Sequence, residues 1–143
     1  MGFGRCATGR LQARLMAKIL VAEDEKQIAD MIVFKLTNSG HEVRRAKDGD
    51  EAMSLARLEI PDLIMLDAMM PGLGGFEVLR QLKADPALRS VPVIMVTAKG
   101  HERDVLNGLR GGAVDYVLKP FSLKELAARV ELALGKDRPP TTL

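Results

Sequence analysis

Apolar residues in this chain alternate between two arrangements. Apolar runs at 19–22, 63–66 and 91–96, the last apolar except for Pro92 near its start, carry no helical period and predict strands buried on both faces. Residues 113–118, interrupted by Asp115, predict a further strand, while 42–46, apolar only at Val43 and Ala46, predicts a short edge strand. Between these runs the apolar residues recur at helical spacing. Ile28, Ala29, Ile32, Val33 and Leu36 predict a helix that stops at Ser39-Gly40. Ala52, Leu55 and Ala56 mark the inner face of a helix over 50–58, and Phe76, Leu79 and Leu82 that of one before Asp85-Pro86. A weaker helix over 103–110 has Val105, Leu106 and Leu109 inward and closes at Gly111-Gly112. The last helix has the clearest start: Ser122 and Glu125 form a capping box, with Phe121 and Leu126 at the positions of a hydrophobic staple. Leu123, Leu126, Ala127, Val130 and Leu134 form its inner face, and Gly135 ends it.

Strand and helix thus alternate five times. Right-handed βαβ units of this kind build a parallel sheet covered by helices on both faces. With the second strand at an edge, the expected fold is α/β: a doubly wound, flavodoxin-like (βα)5 domain with strand order 2-1-3-4-5. It is expected to occupy residues 17–135. Residues 1–16 differ from the rest. Gly2, Gly4 and Gly9 break any helix, and Arg5, Arg10 and Arg14 have no acidic neighbours. They are expected to form a disordered extension, with a basic docking tail as the alternative. Residues 136–143 are expected to be a flexible tail.

Charge and composition narrow the picture modestly. The net charge of +2, less those three arginines, leaves −1 from residue 17 onward, so no basic face for nucleic acid is expected. No apolar run approaches the ~20 residues that span a bilayer. The one cysteine, Cys6, forms no internal disulfide, and the expected location is a reducing cytoplasm.

The chemistry lies where the strands end. In open parallel sheets, ligands sit beyond the carboxyl ends of the strands. Four different strands deliver polar groups there: Glu23 and Asp24, then Asp67, Thr97 and Lys119. Singly, each has a bland structural role: Glu23, Asp24 or Thr97 could cap a helix, and Lys119 could pair with any acid. Together they are the parts of phosphoryl transfer. Clustered carboxylates repel unless a cation neutralises them, and Mg²⁺ suits hard oxygen ligands. Asp67 supplies a carboxylate nucleophile, Lys119 a positive charge and Thr97 a hydroxyl.

The motifs ILVAEDE, LIMLDAMMPGLGGFEVL, VPVIMVTA and GAVDYVLKPF, in this order and spacing, resemble the receiver domain of two-component response regulators over residues 18–134. The resemblance implies that Asp67 accepts a phosphoryl group from a histidine kinase or phosphotransfer protein. It implies that Glu23 and Asp24 hold Mg²⁺ with Asp67 and the Met69 backbone carbonyl, and that Lys119 contacts the phosphoryl group. Thr97 becomes the switch hydroxyl, Tyr116 the aromatic switch, and the Lys119-Pro120 bond is expected to be cis. Two departures stand out. Gly74 replaces an Asp often found there, and Val114 an acidic residue common in regulators that dimerise through the face of the fourth helix, fifth strand and fifth helix.

The implied protein is a stand-alone signalling receiver acting on an unidentified downstream protein, without nucleic-acid or membrane contact, as a monomer or a weak phosphorylation-dependent dimer. It would turn over no small-molecule substrate. The competing reading is a receiver-like interaction module independent of phosphate. An aspartyl hydrolase of the haloacid-dehalogenase type wants a second Asp where Met69 stands. A mononucleotide binder wants a phosphate-cradling loop where Glu23, Asp24 and Glu25 stand.

Overall fold

Five parallel strands, β1 (Lys18–Ala22), β2 (Glu42–Ala46), β3 (Leu63–Asp67), β4 (Val93–Ala98) and β5 (Asp115–Lys119), lie in the order β2-β1-β3-β4-β5. They belong to a computed structural model that describes residues 16–98 and 102–135. The expected N-terminal extension, up to residue 15, and the expected tail over 136–143 lie outside the described residues. The expected sheet order is the one found, with β2 at an edge.

Pleating sends alternate strand residues to opposite faces. Ile19, Val21, Leu63, Met65, Ile94, Val96 and Val117 face two helices, α1 (Lys26–Asn38) and α5 (Leu123–Ala133). Ile32, Leu36, Leu126 and Val130 close that layer. On the other face, Leu20, Ala22, Ile64, Leu66, Val93 and Met95 meet α2 (Gly49–Leu58) and α3 (Gly75–Ala84). There the helices contribute Ala52, Met53, Ala56, Val78, Leu79 and Leu82. Each fully buried Leu or Ile is worth roughly 1.5–3 kcal/mol of transfer free energy, so these two layers carry the fold. Among the described residues no helix is long and apolar enough to cross a membrane.

The last helix starts as its sequence predicts. Ser122 Oγ accepts the Glu125 N–H at 3.1 Å, and Phe121 and Leu126 share one apolar cluster. Elsewhere the boundaries move for identifiable reasons. Pro92 has no N–H to give, so β4 begins at Val93, although the Pro92 carbonyl still accepts the Ile64 N–H at 3.0 Å. β5 starts at Asp115 because the Ala113 N–H turns back to the Gly108 carbonyl at 2.9 Å. α2 starts one residue early because Asp48 and Glu51 cap it reciprocally. Asp48 Oδ1 accepts the Glu51 N–H at 2.8 Å, and Glu51 Oε1 accepts the Lys47 N–H at 2.7 Å.

The fourth helix, α4 (Glu102–Arg110), overturns one expectation. Leu106 and Leu109 point outward, 52% and 42% exposed. Gly108 faces the sheet instead, where an added Cβ would lie 3.1 Å from Met95 Cγ and 3.5 Å from Phe76 Cε1. A residue without a side chain lets the helix backbone settle onto Met95, and that contact fixes the rotation of α4 against its leucines.

His41, in the turn between α1 and β2, is buried at the opposite end of the sheet from the loops that follow the strands. Its Nδ1 accepts the Ala17 N–H at 3.2 Å, and its Nε2 lies 2.8 Å from Glu131 Oε2 on α5. One imidazole thus joins the start of β1 to the last turns of α5.

Candidate functional site

Asp67 is the final residue of β3 and is 3% exposed. Leu63, Ile64, Met65 and Leu66 are held on both sides by β1 and β4, so the strand delivers this carboxylate in a fixed place. Its Oδ1 accepts the Met69 N–H at 3.1 Å as the chain turns away. Gly75 packs directly beneath: a Cβ there would sit 2.3 Å from the Asp67 carbonyl oxygen. Gly74 caps α3 through its carbonyl, which accepts the Val78 N–H at 3.0 Å, and an added Cβ there would make only ordinary contact with the Ala68 carbonyl oxygen, at 3.8 Å.

Glu23 follows β1 and continues its ladder, donating its N–H to the Ala46 carbonyl at 3.0 Å. It is 1% exposed, and its Oε2 accepts the Glu25 N–H at 3.1 Å. Glu25, the N-cap residue of α1, makes no side-chain cap of its own. Asp24 stands at the more open rim. Carboxylate oxygens of Glu23, Asp24 and Asp67 all lie within 4.8 Å of one another.

Lys119, the last residue of β5, brings the opposing charge. Its Nζ lies 3.3 Å from Asp67 Oδ2 and 3.2 Å from Glu23 Oε1, with Glu25 Oε1 at 3.7 Å. One ammonium does not neutralise two buried carboxylates. Loss of solvation, then repulsion from Asp67, pushes the Glu23 carboxyl up to about 7. Burial also raises the Asp67 carboxyl, against the pull of the Met69 N–H and Lys119. Burial alone would lower the Lys119 ammonium, but the charges of Asp67 and Glu23 outweigh it and hold it above its usual range.

The site therefore carries an excess of buried negative charge. Glu23 Oε1 lies close to Lys119 Nζ but has no aligned hydrogen bond among the described residues. An all-oxygen donor set with one orphaned buried oxygen fits a hard divalent cation such as Mg²⁺.

Thr97 lies near the end of β4, 2% exposed, and its Oγ1 has no hydrogen-bond partner among the described residues. Tyr116 pairs in register with Met95, two residues before Thr97, so strand alternation places Tyr116 and Thr97 on one sheet face. The Tyr116 ring is half-buried against the α2/α3 layer, with the Arg129 guanidinium 5.8 Å from its centroid. Arg129 is fixed in turn by Asp115, at 2.8 and 3.0 Å. The Lys119-Pro120 bond is cis, as expected.

Glu23, Asp24, Asp67 and Lys119 thus meet at one end of the sheet, with Met69 joining them through its N–H. Two further residues escaped the sequence reading. Gly75 was legible only as part of a turn, although Asp67 rests on it. Arg45 on β2 gave no signal at all, yet its guanidinium donates to the carbonyls of Glu23 and Asp24.

Comparison with known proteins gives the family. The family profile described as the response regulator receiver domain matches residues 19–131. The chain is 43% identical over 122 residues to the phosphate regulon transcriptional regulatory protein PhoB of Escherichia coli K12, covering 85% of this chain and 53% of that protein. It is 46% identical over 120 residues to the alkaline phosphatase synthesis transcriptional regulatory protein PhoP of Bacillus subtilis 168, covering 84% and 49%. It therefore spans about half the length of these curated relatives. Among solved structures, the chemotaxis protein CheY4 of Vibrio cholerae superimposes with a TM-score of 0.78 at 30% identity, covering 82% of this chain and 98% of that one.

Proposed function

The chain belongs to the response regulator receiver domain family, and we propose that in it Asp67 accepts a phosphoryl group from a phosphohistidine of a histidine kinase or phosphotransfer protein. The observation that carries this reading is the buried Asp67 carboxylate, set among two further acids and facing the Lys119 ammonium at 3.3 Å.

Glu23, Asp24 and Asp67 would hold Mg²⁺, with the Met69 carbonyl as a further ligand. When bound, the ion offsets negative charge on the acids and on the phosphoryl oxygens. The rest is done by the chain itself. An Asp67 oxygen attacks phosphorus; a P–O bond forms while the donor's P–N bond breaks, and its electron pair stays on the imidazole nitrogen. β3 and Gly75 hold the nucleophile still, which is most of what phosphoryl transfer asks of a protein. Lys119 already sits where charge accumulates on the transferred group. Hydrolysis of the acyl phosphate by water then returns Asp67 and releases phosphate.

The signal is a change of surface. The new phosphoryl oxygens offer a partner to the Thr97 hydroxyl, and its inward shift frees space beside it for Tyr116 on the same sheet face. A protein target reads the altered surface of α4, β5 and α5.

The test is direct. Incubation with acetyl phosphate and Mg²⁺ should add one phosphoryl group to the wild-type chain and none to Asp67→Asn or to wild type in excess EDTA. Labelling of the Asp67→Asn variant would place the acceptor elsewhere, and undiminished labelling in EDTA would remove the metal.

A further inference from the structure

The carbonyl side of the acidic loop is held by a residue outside the site. Arg45 lies on the edge strand β2, paired with Val21 of β1, one residue before the Ala46 carbonyl that receives the Glu23 N–H. Its Nε and Nη2 donate to the Glu23 carbonyl at 3.1 and 3.0 Å, and Nη2 also donates to the Asp24 carbonyl at 3.0 Å. The planar fork thus fastens two successive peptide groups where the chain leaves the sheet and nothing else in the ladder would bind them.

We propose that Arg45 is a positioning residue for the cation site: it fixes the backbone of Glu23 and Asp24 from behind, so that their carboxylates are already gathered with that of Asp67 before an ion arrives. The Glu23 N–H is tied to Ala46, the two carbonyls are tied to Arg45, and Glu23 Oε2 is tied to the Glu25 N–H. Only side-chain torsions then remain for Asp24 to settle. An ion entering such a loop does not have to order it, and that ordering is a principal cost of binding to a mobile loop.

The proposal makes a prediction opposite in sign to simple electrostatics. Arg45 is a cation beside a cation site, so on charge alone its removal should tighten Mg²⁺ binding. If its work is to hold the loop, removal should weaken binding by about tenfold to a hundredfold, the usual effect of losing an outer partner of a metal ligand. Arg45→Lys separates the two further, since it keeps the charge and loses the fork.

The inference rests on the metal reading above, so the experiment has two readouts. In metal-free protein, amide exchange at Glu25 should accelerate tenfold or more in Arg45→Met and Arg45→Lys, while β1 amides keep their protection and show that the variants fold. In parallel, Mg²⁺ titration followed by amide chemical shifts should give both variants affinities at least tenfold below wild type. Unchanged exchange at Glu25, or Mg²⁺ binding as tight as wild type in Arg45→Lys or tighter in Arg45→Met, overturns the positioning role. A wild-type chain that binds no Mg²⁺ overturns the metal reading itself, and the positioning role with it.

Discussion

Lys119 Nζ meets Asp67 Oδ2 at 3.3 Å although the two residues come from strands that are not neighbours: β4 runs between β3 and β5. The lysine spans a strand to reach the acid, and Glu23, just after β1, lies on the acid's far side. A single cation therefore ties together strand ends across most of the sheet, and its removal exposes how the site is balanced.

Lys119→Met keeps the stem and deletes the charge. Breaking a buried ion pair from one side costs on the order of 3 kcal/mol, lessened here because a carboxylate can take up a proton. Urea unfolding in EDTA should show this loss. The same variant should bind Mg²⁺ more tightly than wild type, because the ion no longer competes with an ammonium for the same oxygens. Weaker Mg²⁺ binding in Lys119→Met would mean that the lysine organises the acids rather than competing for their charge.

Glu23 gives the metal-free protein an unusual pH dependence. Its carboxyl is pushed up to about 7 in the folded chain, against 4.5 for the free group. Between these values the folded state holds a proton that the unfolded state has released, so stability falls as pH rises from about 4.5 through 7. Most single carboxylates in ion pairs act in the opposite sense. Urea midpoints in EDTA at pH 5, 6, 7 and 8 should decline in wild type and flatten in Glu23→Gln. Mg²⁺ must displace the same proton, so its affinity should weaken as pH drops below about 7, approaching tenfold per unit. A midpoint that rises with pH in EDTA would contradict the buried, proton-holding Glu23.

Thr97 Oγ1 is buried without a partner among the described residues. Thr97→Val should therefore stabilise the unphosphorylated chain, by about 1 kcal/mol, since it removes an unsatisfied oxygen and keeps the shape. Its cost should appear only in the switch. In wild type, beryllofluoride with Mg²⁺ should change amide exchange across residues 97–116, and in Thr97→Val that change should be largely lost while the ligand still binds. Unchanged exchange in wild type, with ligand shown to be bound, would leave the phosphoryl chemistry standing and remove the Thr97–Tyr116 switch.

Gly75→Ala places a methyl 2.3 Å from the Asp67 carbonyl and 2.8 Å from Ala68 Cα, both backbone atoms that cannot rotate away. It should destabilise the fold by roughly 2–3 kcal/mol and slow acetyl phosphate labelling by shifting the nucleophile. Gly74→Ala, whose methyl would meet the Ala68 carbonyl oxygen only at an ordinary 3.8 Å, serves as the control and should change neither.

The sequence made most of this arrangement legible for one reason: in a parallel sheet, order along the chain and position in space are tightly linked. A strand that ends in Asp67 or Lys119 has to deliver it to the same end of the sheet, so Glu23, Asp24, Asp67 and Lys119 could be placed together without coordinates. What escaped depended on contacts that periodicity does not encode. Leu106 and Leu109 matched an inward stripe, but the fit of Gly108 against Met95 set the helix rotation. Arg45 gave no signal, because its partners are backbone carbonyls and any sequence supplies those. His41 had no readable role, its two partners lying 24 and 90 residues away.

That imidazole also decides where news of Asp67 has to travel. By joining Ala17 to Glu131 it gathers both ends of the described fold at the floor of the sheet, whereas the acids sit at its roof. A five-residue strand spans about 17 Å, so the two ends of the described fold lie about a strand length from the acids. A signal carried between the acids and that floor would have to pass through the body of the domain, by a tilt of α5 or a shift along β5. A partner that lands directly on the loops at the roof needs no such relay.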